Sequence, residues 1–287
     1  RTNTDHEEGD NMVLARDFSD NDIYLLEVVS NRIVINDRYD GIIVLDSGLN
    51  TVGEYPLMDD IVIEDSFIRE GEMLLHCLEN RSFVHVDIEK GTHRVIPLVP
   101  ELYETAYLAT YEWNGSRVLL LADDGKVGIT VDVSTGEVAV TRDAQNDKAF
   151  SSVRRSWNIY RDPKVCKICP DSRFVLVEAD NGIDVIHYDD AMRLKLTESR
   201  IPFHDLEISG TFLAQVSENG ILLSDGTGSL TLLPEPDGYY FCWGRFLPVG
   251  GGTAFFTLAS NNANSKECRI SRHMLIPGMF TADGCGA

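Results

Sequence analysis

MLLHCLENRSFVHVD, residues 73 to 87, is the stretch whose reading decides the fold. An apolar arm, Met73 to Cys77, meets a polar turn at Glu79, Asn80 and Arg81, and a second arm returns through Phe83, Val84 and Val86. Two short arms of β-prone residues around such a turn predict a β-hairpin. The pattern recurs as RIVINDRYDGIIVLD (32 to 46), VLLLADDGKVGITVD (118 to 132), FVLVEADNGIDVIHYD (174 to 189), FLAQVSENGILLSD (212 to 225) and FFTLASNNANSKECRIS (255 to 271). The turns are built from Asp, Asn, Glu and Gly, types that accept the left-handed backbone of a tight hairpin.

The turn positions Gly41, Ser82, Gly125, Gly182, Gly220 and Asn264 are separated by 41, 43, 57, 38 and 44 residues. A period near 40 to 45 fits a repeating unit of four strands. DSGLNTVGEYPL, DIEKGTHRVIPL, DVSTGEVAVT and DGTGSLTLL, which follow the hairpins, supply a further turn and strand. In such a turn Asp132 caps through its side chain while Gly136 takes the positive φ. IVIEDSFI (61 to 68), ETAYLATYEW (104 to 113) and HDLEISG (204 to 210) precede hairpins and read as innermost first strands. Six units result. The last lacks a fourth strand beyond Ile276, and the unassigned run NMVLARDF (11 to 18) is expected to close the ring by joining it.

With this period and these D-x-x-x-G turns, nearly the whole chain resembles the β-propeller superfamily, of WD40-like or YVTN-like architecture. The resemblance stops at the superfamily, since neither recurrent Gly-His and Trp-Asp pairs nor a double-glycine kelch signature nor an Asp box repeats. It implies an all-β fold of six blades, or seven, and no particular activity, because propellers host binding platforms and enzymes alike. The expected organisation is a disordered segment 1–10, one domain over 11–276 and a tail at 277–287. Two packed sandwiches would also give many short strands but not a near-constant period, and no segment sustains helical apolar spacing over three turns.

Charge narrows the partners. The 25 Lys+Arg against 46 Asp+Glu leave −21 on 287 residues, a field that repels nucleic acid and anionic membrane surfaces. No apolar run approaches the roughly 18 residues of a spanning helix. A chain of this length buries about three quarters of its unfolded surface, so no metal or disulfide is required for folding. The chain opens on Arg1 rather than methionine, which suggests a processed form. The compartment is left open, leaning to the cytoplasm.

The 57-residue separation places an insertion at residues 143 to 163, DAQNDKAFSSVRRSWNIYRDP. It gathers Arg154, Arg155 and Arg161 with Phe150, Trp157 and Tyr160. Arg, Trp and Tyr are common energetic anchors of interfaces, although such a loop also needs residues that fasten it to the body. The second candidate surface is a ring of acids in the hairpin turns: Asp37, Asp40, Glu79, Asp123, Asp124, Asp180 and Glu218. These turns are expected on the face that carries the insertion, where they would attract a basic protein or peptide. Ordinary turn chemistry also places acids there.

Cys166 and Cys169 form a CxxC, but neither a helix N-terminus nor a second CxxC accompanies it, so neither a redox pair nor zinc is expected. His76, His85 and His187 fall in predicted strands and read as hydrogen-bonded core residues. No G-x-S-x-G elbow and no phosphate-cradling glycine loop occurs. The pairs Asp59–Asp60, Asp123–Asp124 and Asp189–Asp190 all lie in turns. The expectation is a non-enzymatic protein-binding module without cofactor or metal, one form being an inhibitor or immunity-type protein that covers a basic enzyme. The alternative is a hydrolase or lyase whose carboxylates meet at the central channel, with or without a divalent metal.

Overall fold

The computed structural model describes residues 13–104, 108–122, 125–154, 165–169, 174–179, 182–187, 193–197, 205–209, 212–217, 220–224 and 230–275. The segments 1–10 and 277–287 lie outside them, as do Arg155, Trp157, Tyr160, Arg161, Asp123, Asp124, Asp180 and Glu218.

Among the described residues the chain forms six antiparallel sheets of four strands. The first sheet holds β2 (Leu26–Val29), β3 (Arg32–Asp37), β4 (Gly41–Leu45) and β5 (Thr51–Pro56). The second holds β6 (Asp65–Arg69), β7 (Glu72–Cys77), β8 (Ser82–Asp87) and β9 (Thr92–Pro97). The third holds β10 (Leu108–Asn114), β11 (Arg117–Ala122), β12 (Gly128–Asp132) and β13 (Glu137–Thr141). The fourth holds β14 (Val165–Cys169), β15 (Phe174–Ala179), β16 (Gly182–His187) and β17 (Arg193–Thr197). The fifth holds β18 (Asp205–Ser209), β19 (Phe212–Ser217), β20 (Gly220–Ser224) and β21 (Leu230–Pro234). In these five the strands pair in sequence order. The sixth joins β22 (Tyr239–Val249), β23 (Gly252–Asn261) and β24 (Cys268–Leu275) to the N-terminal β1 (Leu14–Phe18), which pairs with β24 from Leu14↔Arg272 to Phe18↔Cys268.

Every quoted hairpin is the second and third strand of one sheet. In the first two sheets these middle strands are buried along most of their length rather than alternating, because both their faces are covered. All five residues of β4 are buried, whereas β5 is exposed or half-buried along its length. One core cluster lies between the first and second sheets, through Val34, Val44, Met73 and Val84. Others join the second to the third, through Phe83 and Val118, and the fifth to the sixth, through Val216 and Phe255. The sixth also packs on the first, where Phe256 and Ile270 meet Ile33 and Ile35. The first three sheets therefore stack face to face, as do the fifth and sixth, and the last shares a core with the first.

Two local expectations are corrected. The apolar run at 61 to 68 is not one strand, since β6 begins at Asp65. Ile61 and Ile63 are buried in the linker before it, and the Ile61 amide donates to the Tyr39 carbonyl of the neighbouring sheet at 2.7 Å. Their apolarity fills the wedge between sheets. The second correction concerns the turns between second and third strands. Gly125 is left-handed as expected, but in the first two sheets that conformation falls on Arg38 (φ 48°) and Arg81 (φ 52°). Asn21 Oδ1 accepts the Arg38 amide at 2.9 Å, and Asn36 Nδ2 donates to the Arg38 carbonyl at 3.1 Å, so the surroundings impose the unfavourable φ.

The turns between third and fourth strands follow the reading in the second and third sheets, where Gly91 and Gly136 take the positive φ, whereas in the first it falls on Leu49 (φ 61°). Asp132 Oδ1 accepts the Ser134 and Thr135 amides at 3.0 and 3.2 Å, and Gly136 has φ +80°. Arginines on third and fourth strands tie these turns to the adjacent sheet. Arg272 donates to the Ser47 carbonyl at 2.7 Å, Arg16 to Leu49 at 2.8 Å and Arg94 to Val133 at 3.3 Å.

Candidate functional site: the turn face and the inner strands

Hydrogen bonds show that the linkers between sheets share one face with the turns between second and third strands. The Leu57 amide donates to the Asp40 carbonyl, Leu98 to Arg81 and Ala144 to Lys126, each at 2.8 to 2.9 Å. Asn36, fully buried, organises the first turn: its Oδ1 accepts the Tyr24 and Leu25 amides at 2.9 and 3.0 Å, while its Nδ2 donates to the Asp22 carbonyl at 2.8 Å. Asn80 does similar work in the second, accepting the Val62 amide and donating to the Asp60 carbonyl, both at 2.9 Å. A chain of β-turns tied this way presents its side chains from a fixed frame.

On this face Asp20, Asp40, Asp59, Asp60, Glu64 and Glu79 are exposed and Asp37 is half-exposed. Two nearby cations are engaged locally, Arg38 with Asp20 at 3.3 Å and Arg81 over the Tyr103 ring at 4.7 Å. Tyr39, between Asp37 and Asp40, stays 43% exposed while stacking on Tyr24 at 6.0 Å. Tyr103 is 38% exposed. The exposed tyrosines were not singled out from sequence; their signal was an aromatic inside an otherwise polar turn.

The described start of the insertion is fastened rather than free. Asp147 caps a short 3₁₀ helix, η1 (Lys148–Phe150), by accepting the Ala149 amide at 2.9 Å, and Phe150 and Val153 are buried against Leu121 and Ala144. Arg154 donates to the carbonyls of Ala144, Gln145 and Asp147, so its guanidinium staples the loop to itself. Of the proposed partner-binding residues, the structure describes Asp37, Asp40 and Arg154. The first two share one turn and Arg154 sits in the insertion.

The first strands carry a second polar constellation. Arg245 on β22, largely buried, meets Glu27 of β2 at 3.2 Å and Asp205 and Glu207 of β18 at 2.8 and 3.3 Å. Burial opposes its charge, yet the carboxylates of Glu27, Glu207 and Asp205 outweigh that and hold the guanidinium well above its usual range. The belt continues from Glu27 to Ser66 Oγ of β6 at 3.0 Å, and from the Ile68 carbonyl of β6 to the Tyr111 hydroxyl of β10 at 3.0 Å. Alternation of acids in HDLEIS was the visible signal for Asp205 and Glu207; their common cation was not visible.

No protein-family model matches the chain, and no curated protein matches it in sequence. Solved structures do. The RRP9 WD40 repeats are 11% identical over 90% of this chain and 97% of that one, with a TM-score of 0.51. Hsv2 of Kluyveromyces lactis is 12% identical over 83% and 91%, with a TM-score of 0.50. The fold is that of WD40-type β-propellers.

The belt through Arg245 is a set of contacts between the first strands of different sheets. His85 Nε2 lies 3.4 Å from Glu72 Oε1, and burial, ahead of the opposing Glu72 and Asp87 charges, lowers its pKa. Burial pushes the Cys77 thiol up to about 12. Among the described residues no three of His, Cys, Asp and Glu are grouped to hold a metal ion, and no helix is long and apolar enough to cross a membrane.

Proposed function

We propose that the six sheets are the blades of one six-bladed propeller, closed where β1 completes the last blade, and that the protein is a non-enzymatic binding module. Its partner is a protein or peptide with a basic surface, held on the turn face. One observation carries this reading: Tyr39 stands exposed between Asp37 and Asp40 on a rigidly tied turn, in a neighbourhood whose nearest cations are already engaged. A tyrosine ring flanked by carboxylates suits arginine or lysine through combined ring and charge contacts. The sequence assigns Asp123, Asp124, Asp180 and Glu218 to the same acidic chemistry and Arg155, Trp157, Tyr160 and Arg161 to the insertion as further anchors, all outside the described residues. A concrete form is an inhibitor or immunity-type protein covering the cleft of a basic enzyme.

A carboxylate-based site on the inner strands is the second reading, and Glu27, Asp205 and Glu207 are the acids it would use. All three contact Arg245, an arrangement that suits holding blades together better than transferring protons.

The test is affinity capture of the partner followed by calorimetry. Binding weakens as salt rises, and Trp157→Ala and Arg155→Ala each cost about 2 kcal/mol. Affinity indifferent to salt and to both substitutions overturns the proposed surface.

A further inference from the structure

β1 differs from the other outer strands in coming from the opposite end of the chain to the sheet that it completes, and, as in β5 and β13, none of its side chains is buried. Its five-residue ladder to β24 is reinforced at the surface: Arg269 grips Asp17 through two bonds, at 2.6 and 3.1 Å. Arg16 adds bonds to the Leu49 carbonyl and Thr51 Oγ1, at 2.8 and 2.9 Å. Such an element, rich in backbone bonds and poor in buried apolar area, belongs to the low-stability end of a structure. Immediately after it the anchorage is firm, since the Asn21 amide donates to the Lys266 carbonyl at 3.0 Å and Ile23 is buried. Only Ser19 and Asp20 separate the strand from that anchor, and Asp20 takes φ +61°. The fold-back of β1 onto its own β24 therefore runs through a two-residue hinge strained at a non-glycine residue. Short strained hinges favour exchange of the element they tether. Without β1, β24 would present an open sheet edge that only another strand satisfies.

We propose that β1 is an exchangeable clasp, and that two copies of this chain dimerise by trading N-terminal strands, each β1 pairing with β24 of the other copy. The exchange keeps every ladder bond and the Asp17–Arg269 pair, and lets Asp20 leave the left-handed region.

The test is light scattering on the size-fractionated full chain over a wide concentration range. Asp20→Pro, which cannot adopt a positive φ, shifts the population to dimer. Asp20→Gly, which removes the strain, lowers the dimerisation constant by about tenfold per hinge, the factor that the left-handed cost of one residue represents. Charge reversal identifies the contact: Asp17→Arg and Arg269→Asp each place like charges together within one chain, whereas mixing the two variants restores opposite charges only across exchanged strands. A heterodimer in the mixture that neither variant forms with itself is the expected result. A mixture that stays monomeric, or an Asp20→Pro chain that is folded and monomeric at every concentration, overturns the proposal.

Discussion

Arg245 and Glu27 meet at 3.2 Å although 218 residues separate them, and this contact ties the first sheet to the last through β2 and β22. Because Asp205 and Glu207 share the same guanidinium, removing it takes the common cation from three carboxylates at once. Arg245→Met is expected to destabilise the fold by about 3–5 kcal/mol, the cost of removing one member of a largely buried ion-pair cluster. Adding Glu27→Gln, Asp205→Asn and Glu207→Gln should recover much of that loss. Urea unfolding of the single and combined variants measures both; an Arg245→Met protein as stable as the parent would contradict the role given to the belt.

Acid should weaken the protein in two stages. Burial lowers the pKa of His273 to about 4 from an ordinary 6.5, so the unfolded chain takes up the proton first. Stability is complete above pH 6.5 and falls by roughly 3 kcal/mol at most as pH drops toward 4. Below that, Asp17, held under its ordinary range by the Arg269 hydrogen bond, adds a further loss as it protonates. Unfolding free energies measured against pH should show a shallower first slope in His273→Gln than in the parent, the remainder coming from His85, whose pKa burial also lowers.

The insertion rests on a glycine. A methyl group at Gly128 would lie 2.6 Å from the Phe150 ring and 2.9 Å from Ala144 Cβ. Gly128→Ala should therefore cost about 1–3 kcal/mol by overpacking. It should also expose the segment around Arg154 to proteolysis, which limited digestion followed by mass spectrometry will detect. A fully protected segment would show that the loop is fastened elsewhere.

The four-stranded sheets were legible because each hairpin combines apolar arms with a polar turn, and because middle strands such as β4 are buried on both faces and so read as unbroken apolar runs. The pairing of β1 with the last sheet was legible from the strand that this sheet lacked. Ile61 and Ile63 misled, since apolar residues that fill a wedge between sheets look the same in sequence as residues in a ladder. Arg38 and Arg81 defied turn propensity because Asn21, Asn36 and the next linker fix their backbone from outside. The Arg245 belt was invisible for a related reason: nothing local links Glu27 to a residue on the last blade. At the candidate site the sequence marked Asp37 and Asp40 through turn chemistry, but not that Tyr39 between them stays exposed.

The turn face is the functional claim, and it can be tested before a partner is known. A lysine- and arginine-rich peptide should bind the protein by calorimetry at low salt and lose affinity steeply as salt rises. Asp37→Asn with Asp40→Asn, or Tyr39→Ala alone, should weaken that binding several-fold without changing thermal stability. Affinity unchanged in both variants, or binding insensitive to salt, would contradict the assignment of this face.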